Sequence, residues 1–222
     1  MRIVPCGWSW ILGAPVVPGV ISVVFLLMGS AIPSAVSALT AVVTAGFMVY
    51  FFRDPPRAFS GDEDLVLAGA DGVIRGVEEV VEDTYLSGDT IRISVFLSPF
   101  DVHVNRSPIT GVVRALAYSP GRHHLTIRRE SSEFNEHSSI LVEGMGTRCL
   151  IKQIVGPVVR RVVYWLEGGQ ELVRGDRIGM MKFGSRLDVY FPLSDVDVLV
   201  RRGDRVLAGV TPIARIRKDL KT

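Results

Sequence analysis

The sequence predicts a mostly β soluble domain, barrel- or sandwich-like, preceded by an N-terminal hairpin of two transmembrane helices. Three observations lead there. Between Ile3 and Phe52 there is no Asp, Glu, Lys, Arg or His, whereas the chain from Arg53 onward carries all 23 acidic residues and every basic one except Arg2. Short runs rich in Val and Ile, which strands prefer, recur through this second part. No segment after Phe52 keeps a helical period over three turns. The 222 residues are 48% hydrophobic, more than an ordinary soluble domain, and the excess sits in residues 1–52. The chain therefore divides into a membrane-anchoring hairpin, 1–52, and a β-rich domain, 53–222.

The uncharged stretch is too long for one membrane crossing, which takes about 20 residues for a hydrocarbon core of about 30 Å. It suits two. The first helix is expected over Trp10–Met28 and the second over Ser34–Phe52, with Gly29 to Pro33 as the turn; a helix start tolerates Pro33. Arg2 precedes the first span, and Arg53 and Arg57 follow the second. The positive-inside rule then puts both ends of the hairpin, and the large domain, on the cytoplasmic side of the cell's inner membrane. A cleaved signal peptide is the competing reading, with small residues at Ala35 to Ala38 as the cleavage site; against it, the apolar stretch continues from Leu39 to Phe52.

Beyond Arg53 the apolar runs are Val73–Val81, Ile91–Leu97, Gly111–Tyr118, Ser139–Val142, Arg148–Val155, Val158–Leu166, Leu187–Phe191 and Val196–Val200. Turns separate them, as in a barrel or sandwich. Arg174-Gly175-Asp176-Arg177 recurs as Arg202-Gly203-Asp204-Arg205, and each copy reads as a tight turn with exposed charges. The second copy has the cadence of a lipoyl- or biotinyl-carrier hairpin, yet no lysine stands at its tip to carry such a group. One run is interrupted: in KFGSRLDVYFP, Lys182 to Pro192, Gly184-Ser185 breaks the alternation where a strand should pack bulk.

Cys6 and Cys149 form neither a disulfide framework nor a metal-ligand spacing, and both are expected to be reduced. From Arg53 on, 24 basic residues balance 23 acidic ones, which is no nucleic-acid footprint. His103 lies in SPFDVHVNRSP, a loop dense in hydrogen-bonding groups of the kind that carries sites, though such groups also satisfy local backbone. His123-His124 read as an exposed turn edge, His137 as part of a polar loop, and Asp71 first as a β-turn residue.

Taken in order, FFRDPPR (Phe51 to Arg57), Ala70-Asp71-Gly72, FLSPFDVHVNR (Phe96 to Arg106), Asn135-Glu136, Gly156 to Arg161 and Phe183-Gly184-Ser185-Arg186 resemble one family. It is the short, archaeal-type form of the phosphatidylserine decarboxylase proenzymes, which are pyruvoyl-dependent. The resemblance implies self-cleavage at Gly184-Ser185: the Ser185 hydroxyl attacks the Gly184 carbonyl, the amide becomes an ester, β-elimination releases the upstream chain, and the dehydroalanine left behind hydrolyses to a ketone. The products would be a β chain of residues 1–184 and an α chain of residues 185–222 that begins with the pyruvoyl group. That group, with no metal and no pyridoxal phosphate, would form a Schiff base with the serine head group and serve as electron sink for loss of CO2, giving phosphatidylethanolamine.

The resemblance further implies roles for single residues. Asp71 matches the aspartate that helps activate the self-cleaving serine. His103 matches the first histidine of the family's SPxDYHRxH loop, assigned to decarboxylation or proton transfer. Long-form members carry a second histidine three residues on, where this chain has Arg106, so the base that activates Ser185 is left open: His103 paired with Asp71, or another group. Arg106 is expected to hold substrate phosphate or carboxylate, for which a guanidinium fork is well shaped. Arg186 is expected either to touch the head group or to alternate outward on its strand. Arg53, Arg57, Arg160, Arg161, Arg215, Arg217 and Lys218 are candidates for a basic face toward anionic lipid. The implied partners are a phospholipid substrate and the membrane, with the α and β chains as a heterodimer and a higher homo-oligomer open. Phosphatidylserine and an archaeal ether-lipid analogue share a head group. A non-catalytic, membrane-tethered β-hairpin adaptor is the alternative from another class. A signal-anchored extracytoplasmic hydrolase is disfavoured, because no nucleophile-base pair for it stands out.

Overall fold

A computed structural model describes residues 2–121, 135–156, 162–182 and 185–217. It divides into two compact units, Met1–Pro56 and Arg57–Thr222. In the first, β1 (Arg2–Ile3) pairs antiparallel with β2 (Arg53–Asp54), Arg2 opposite Asp54, which clips the chain start to the end of the hairpin. Between them run α1 (Trp8–Gly13), α2 (Val16–Leu27) and α3 (Ala31–Phe51). The first expected helix thus starts earlier and is interrupted at Ala14-Pro15. Pro15 and Pro18 lack the N–H groups that would bond back across that turn. Pro5–Leu27 and Ala31–Phe51 are each long and apolar enough to cross a membrane, at 23 and 21 residues. Their apolar side chains face outward, with Leu27 82% and Ile32 80% exposed, the reverse of a helix that lines a soluble core. α2 and α3 are tied by reciprocal bonds: Ser22 Oγ donates to Ser34 O at 2.8 Å and Ser34 Oγ to Ser22 O at 2.9 Å. Small hydroxyl residues serve helix pairs in lipid this way, where a polar group has no water to turn to.

The second unit is β throughout its described residues. Its strands begin with β3 (Leu65–Leu67), β4 (Gly72–Glu82), β5 (Gly88–Phe96), β6 (Val104–Arg106), β7 (Gly111–Ser119) and β8 (His137–Gly144). They continue with β9 (Thr147–Ile154), β10 (Val162–Tyr164), β11 (Glu171–Leu172), β12 (Arg177–Met181) and β13 (Arg186–Pro192), and end with β14 (Val196–Val198), β15 (Arg205–Val206) and β16 (Pro212–Ile216). Eight form one antiparallel sheet in the order β11-β7-β8-β9-β13-β5-β4-β15; two smaller sheets run β14-β16-β3 and β10-β12-β6. The long Val- and Ile-rich runs expected from sequence fall on β4, β5, β7, β8, β9 and β13. The end of the Val158–Leu166 run carries β10, and its start lies outside the described residues.

β13 lies between β9 and β5, and six of its seven residues are buried. Leu187, Val189 and Phe191 join the main apolar core with Ile93, Val95 and Ile151. Arg186, Asp188 and Tyr190 alternate to the other face, where Tyr190 packs with Leu86 and Leu150. Both Gly-Asp copies are tight turns of one design. Gly175 and Gly203 have φ of +91° and +100°, a region only glycine enters freely. Asp176 Oδ2 accepts from Val173 N at 2.7 Å, and Asp204 Oδ2 from Arg201 N at 2.9 Å.

Candidate active site

Ser185 stands at the head of β13, where the chain passes from the three-stranded sheet of β12 into the large sheet. Its carbonyl accepts from Leu97 N at 3.0 Å, which extends by one residue the ladder in which Arg186 faces Phe96. Alternation sends the Ser185 side chain the same way as Leu187 and Val189, toward the core. It is fully buried, and its Oγ has no hydrogen-bond partner among the described residues. A buried hydroxyl left unsatisfied costs about 1–3 kcal/mol, so an orphan at this place asks for a chemical reason. Gly184, the other half of the expected cleavage site, lies outside the described residues, as do His123, His124, Arg160, Arg161 and Lys218.

His103 directly precedes β6. It is completely buried, and its carbonyl accepts from Met181 N at 3.3 Å, four residues before Ser185. Its Nδ1 lies 2.9 Å from the Asp101 carbonyl. A carbonyl oxygen can only accept, so Nδ1 carries the proton and the neutral ring presents Nε2 as the basic nitrogen. The Asp101 carboxylate closes the loop that holds this ring, accepting from Ser98 N at 2.8 Å and from Arg205 Nη2 at 2.6 Å. The SPFD part of the motif is therefore a capped turn. Its cation comes from the second RGD copy, a partner the sequence did not suggest.

Asp71 is also buried. Oδ2 accepts from Arg57 Nη2 and Oδ1 from Ala208 N, each at 2.8 Å. Burial raises its carboxyl above the ordinary value, while the Ala208 N–H and the Arg57 guanidinium oppose the rise and the Asp101 charge adds to it. Val73 faces Phe96 on β5, so the register continued leaves Asp71 two strands from Ser185, about 10 Å between backbones.

The two arginines expected at the substrate are anchored internally. Arg106 is buried and donates through Nη1 to Gly175 O at 2.9 Å. Arg186 does not alternate outward to solvent: it is buried against the fully buried Asp188, Nη2 donating to Oδ2 at 2.9 Å and Nε 2.9 Å from Oδ1. On its strand it points away from the Ser185 side. The basic lipid face is likewise corrected at three positions. Arg57 is half-buried and pairs with Asp71, Arg215 pairs with Asp62 and Asp64, and Arg217 pairs with Asp197, so each of these charges already faces a carboxylate. Asn135 Nδ2 donates to Val155 O at 3.1 Å and Val155 N to Glu136 O at 3.1 Å. That places Asn135-Glu136 beside Val155, which follows β9 and, with the register continued, stands opposite Ser185. His137 opens β8, with Nδ1 2.8 Å from Asn135 O.

This order of motifs has counterparts in known proteins. Residues 44–214 match the family model described as phosphatidylserine decarboxylase. The chain belongs to that family. Relatives named phosphatidylserine decarboxylase proenzyme include one from Carboxydothermus hydrogenoformans, 42% identical over 77% of this chain and 80% of the relative. One from Symbiobacterium thermophilum is 43% identical over 81% and 84%, and one from Geobacter metallireducens 40% over 92% of each. As a member of the decarboxylase family the chain is an enzyme. Sequence reasoning missed Arg57 as the partner of Asp71, Arg205 as the partner of Asp101, and Gln153 altogether, and it left Asn105 without a role inside the polar loop SPFDVHVNRSP. Arg57 was visible inside FFRDPPR. Arg205 was visible only as part of a repeated turn, and nothing in a single sequence marked Gln153.

Proposed function

We propose that this enzyme decarboxylates phosphatidylserine to phosphatidylethanolamine, using a pyruvoyl group made from Ser185 when the chain cuts itself between Gly184 and Ser185 into residues 1–184 and 185–222. The observation that carries the reading is the Ser185 hydroxyl, buried and without a partner among the described residues at a strand head; the buried His103, just before β6, accepts through its carbonyl from Met181 N, four residues upstream of that serine. A self-cleaving serine needs a hydroxyl kept free of competing bonds and a base near it. The residues present thus fit the group they would generate, and that group supplies an electron sink for the carboxylate's departure.

The chain's own residues do the rest. His103, with Nδ1 committed to Asp101 O, offers Nε2 to take the Ser185 proton and later to return one to the product. Asp71 tunes this region by its charge, and Arg57 and Ala208 fix both its oxygens. Arg106 and Arg186 hold β6 and β13 in place; either would have to share a bond it already makes to reach a substrate phosphate or carboxylate. The apolar hairpin is suited to keep the domain at the lipid surface where the head group lies, and by the positive-inside rule Arg2, Arg53 and Arg57 favour the cytoplasmic side of the inner membrane for that domain.

Intact mass of the purified protein tests the reading. Two chains meeting at 184/185, the smaller blocked to Edman sequencing, are expected for the wild type, and one uncut chain for Ser185→Ala. A wild type that stays whole, yet decarboxylates, removes the proposal.

A further inference from the structure

Three fully buried side chains form a hydrogen-bonded row against the face of β13 that carries Ser185. Ser138 Oγ donates to Gln153 Oε1 at 2.7 Å, and Gln153 Nε2 donates to Asn105 Oδ1 at 2.7 Å. The row has a direction. With its oxygen accepting, Asn105 can only donate through Nδ2, and Nδ2 is buried with no acceptor among the described residues.

Register places this donor near Ser185. Gln153 stands opposite Leu187, and Ser185 is the next residue on that face, about 7 Å along the strand. Asn105 shares its side of β6 with His103, two residues earlier. Leu187 also lies close under β6: a Cβ added to Gly69 would sit 2.9 Å from Leu187 Cδ2 and 3.3 Å from Arg106 O. Room for the row is kept by Gly179, which pairs with Asn105; a Cβ there would come within 3.1 Å of Gln153 Nε2 and 2.4 Å of Val163 O. Two buried polar atoms without a partner among the described residues, a donor on Asn105 and the hydroxyl of Ser185, thus come from β6 and the head of β13. Each costs stability unless something lies between them to be bound.

We propose that Asn105 is a catalytic residue of the self-cleavage, donating from Nδ2 to the residue 184 carbonyl oxygen as negative charge develops on it, with Gln153 and Ser138 as positioning residues. The inference rests on the self-cleavage reading above. In the step concerned, Ser185 Oγ forms a bond to the carbonyl carbon of residue 184, its proton passes to the base, and the carbonyl π pair moves onto oxygen, where Asn105 donates. Collapse restores the carbonyl and breaks the bond to the Ser185 nitrogen, which takes a proton and leaves the ester.

The test follows formation of the 185–222 fragment by mass after synthesis of the full chain, with melting temperature measured in parallel and Ser185→Ala as the uncut reference. Loss of one such donor slows a reaction by about 10²–10³-fold, the drop expected for Asn105→Leu in a folded protein. Asn105→Asp is slowed too, but its rate relative to wild type climbs as pH falls, because a protonated carboxyl regains a donor; a purely structural role would give no such recovery. Gln153→Leu loses less, since the donor survives but is no longer aimed. Folded Asn105 variants that cut as fast as wild type overturn this proposal alone. A wild type that never cuts overturns the self-cleavage reading and this proposal with it.

Discussion

Asp71 is held between opposed influences, and Arg57 is the one that can be removed cleanly. Burial lifts the carboxyl above its ordinary 3.8, and Arg57 works against the lift. If ionised Asp71 supports self-cleavage, the acid limb of the cleavage rate lies above that value, and Arg57→Gln moves the limb higher still. The stability sign agrees. A raised carboxyl binds its proton more tightly in the folded state, so its contribution is full below the unfolded value and lost as pH rises through the folded one; Arg57→Gln extends that window upward. Cleavage followed by mass across a pH series decides it, and an unshifted acid limb in a folded Arg57→Gln variant rejects the coupling. Arg186 makes a second residue-scale prediction. Asp188 is fully buried, so Arg186→Met, in an uncut Ser185→Ala background, should cost about 3–5 kcal/mol in denaturant unfolding, with most of it recovered by adding Asp188→Leu. A loss confined to substrate affinity, with stability intact, would instead return Arg186 to the head group. FFRDPPR and FGSR were legible as motifs, but their partners were not: Arg57 meets a carboxylate 14 residues on, and only the fold brings the two together.

β13 explains why some elements were readable and others were not. A strand between two neighbours, with a continuous core on one face, writes its alternation plainly, and so do β4, β5, β7, β8 and β9. β6 does not. Its three residues, Val104-Asn105-Arg106, are all buried, two of them polar, and no pattern of hydrophobicity marks a strand whose side chains are satisfied by amides and carbonyls. The candidate site was therefore half legible: Ser185 and His103 came from motif, whereas the amide row and the Arg57 and Arg205 anchors came from tertiary pairing. Gly72, which joins Asp71 to β4, offers a test at this scale. A Cβ there would lie 2.1 Å from Phe96 O on the neighbouring strand, backbone against backbone, with no side chain able to yield. Gly72→Ala should push β4 from β5 and lower domain stability by about 1–3 kcal/mol, measured on the uncut Ser185→Ala chain. The same change should slow cleavage in the otherwise wild-type chain, because Asp71 moves with it. Unchanged unfolding would show that the ladder can open there without loss.

At the scale of the whole molecule, the hairpin and the β domain answer to different solvents. The two apolar spans expose Leu, Ile and Val around their circumference, a surface far beyond what a soluble protein leaves uncovered. The unit Arg57–Thr222 carries its own core and the whole candidate site. Where the chain is cut should then matter to within one residue. A fragment of residues 57–222 retains Arg57 on Asp71, and is expected to stay soluble without detergent, to release the 185–222 chain, and to decarboxylate a short-chain, micelle-forming phosphatidylserine at a rate close to that of the full enzyme. It should no longer float with lipid vesicles in a density gradient, since both spans are gone. A fragment beginning at Ala58 should be equally soluble but show the upward-shifted acid limb of Arg57→Gln, because the guanidinium that opposes burial of Asp71 has been removed with the hairpin. If the longer fragment precipitates or stays uncut while the full chain cleaves, the β domain depends on its anchor for folding, and the hairpin has a part in the chemistry beyond attachment.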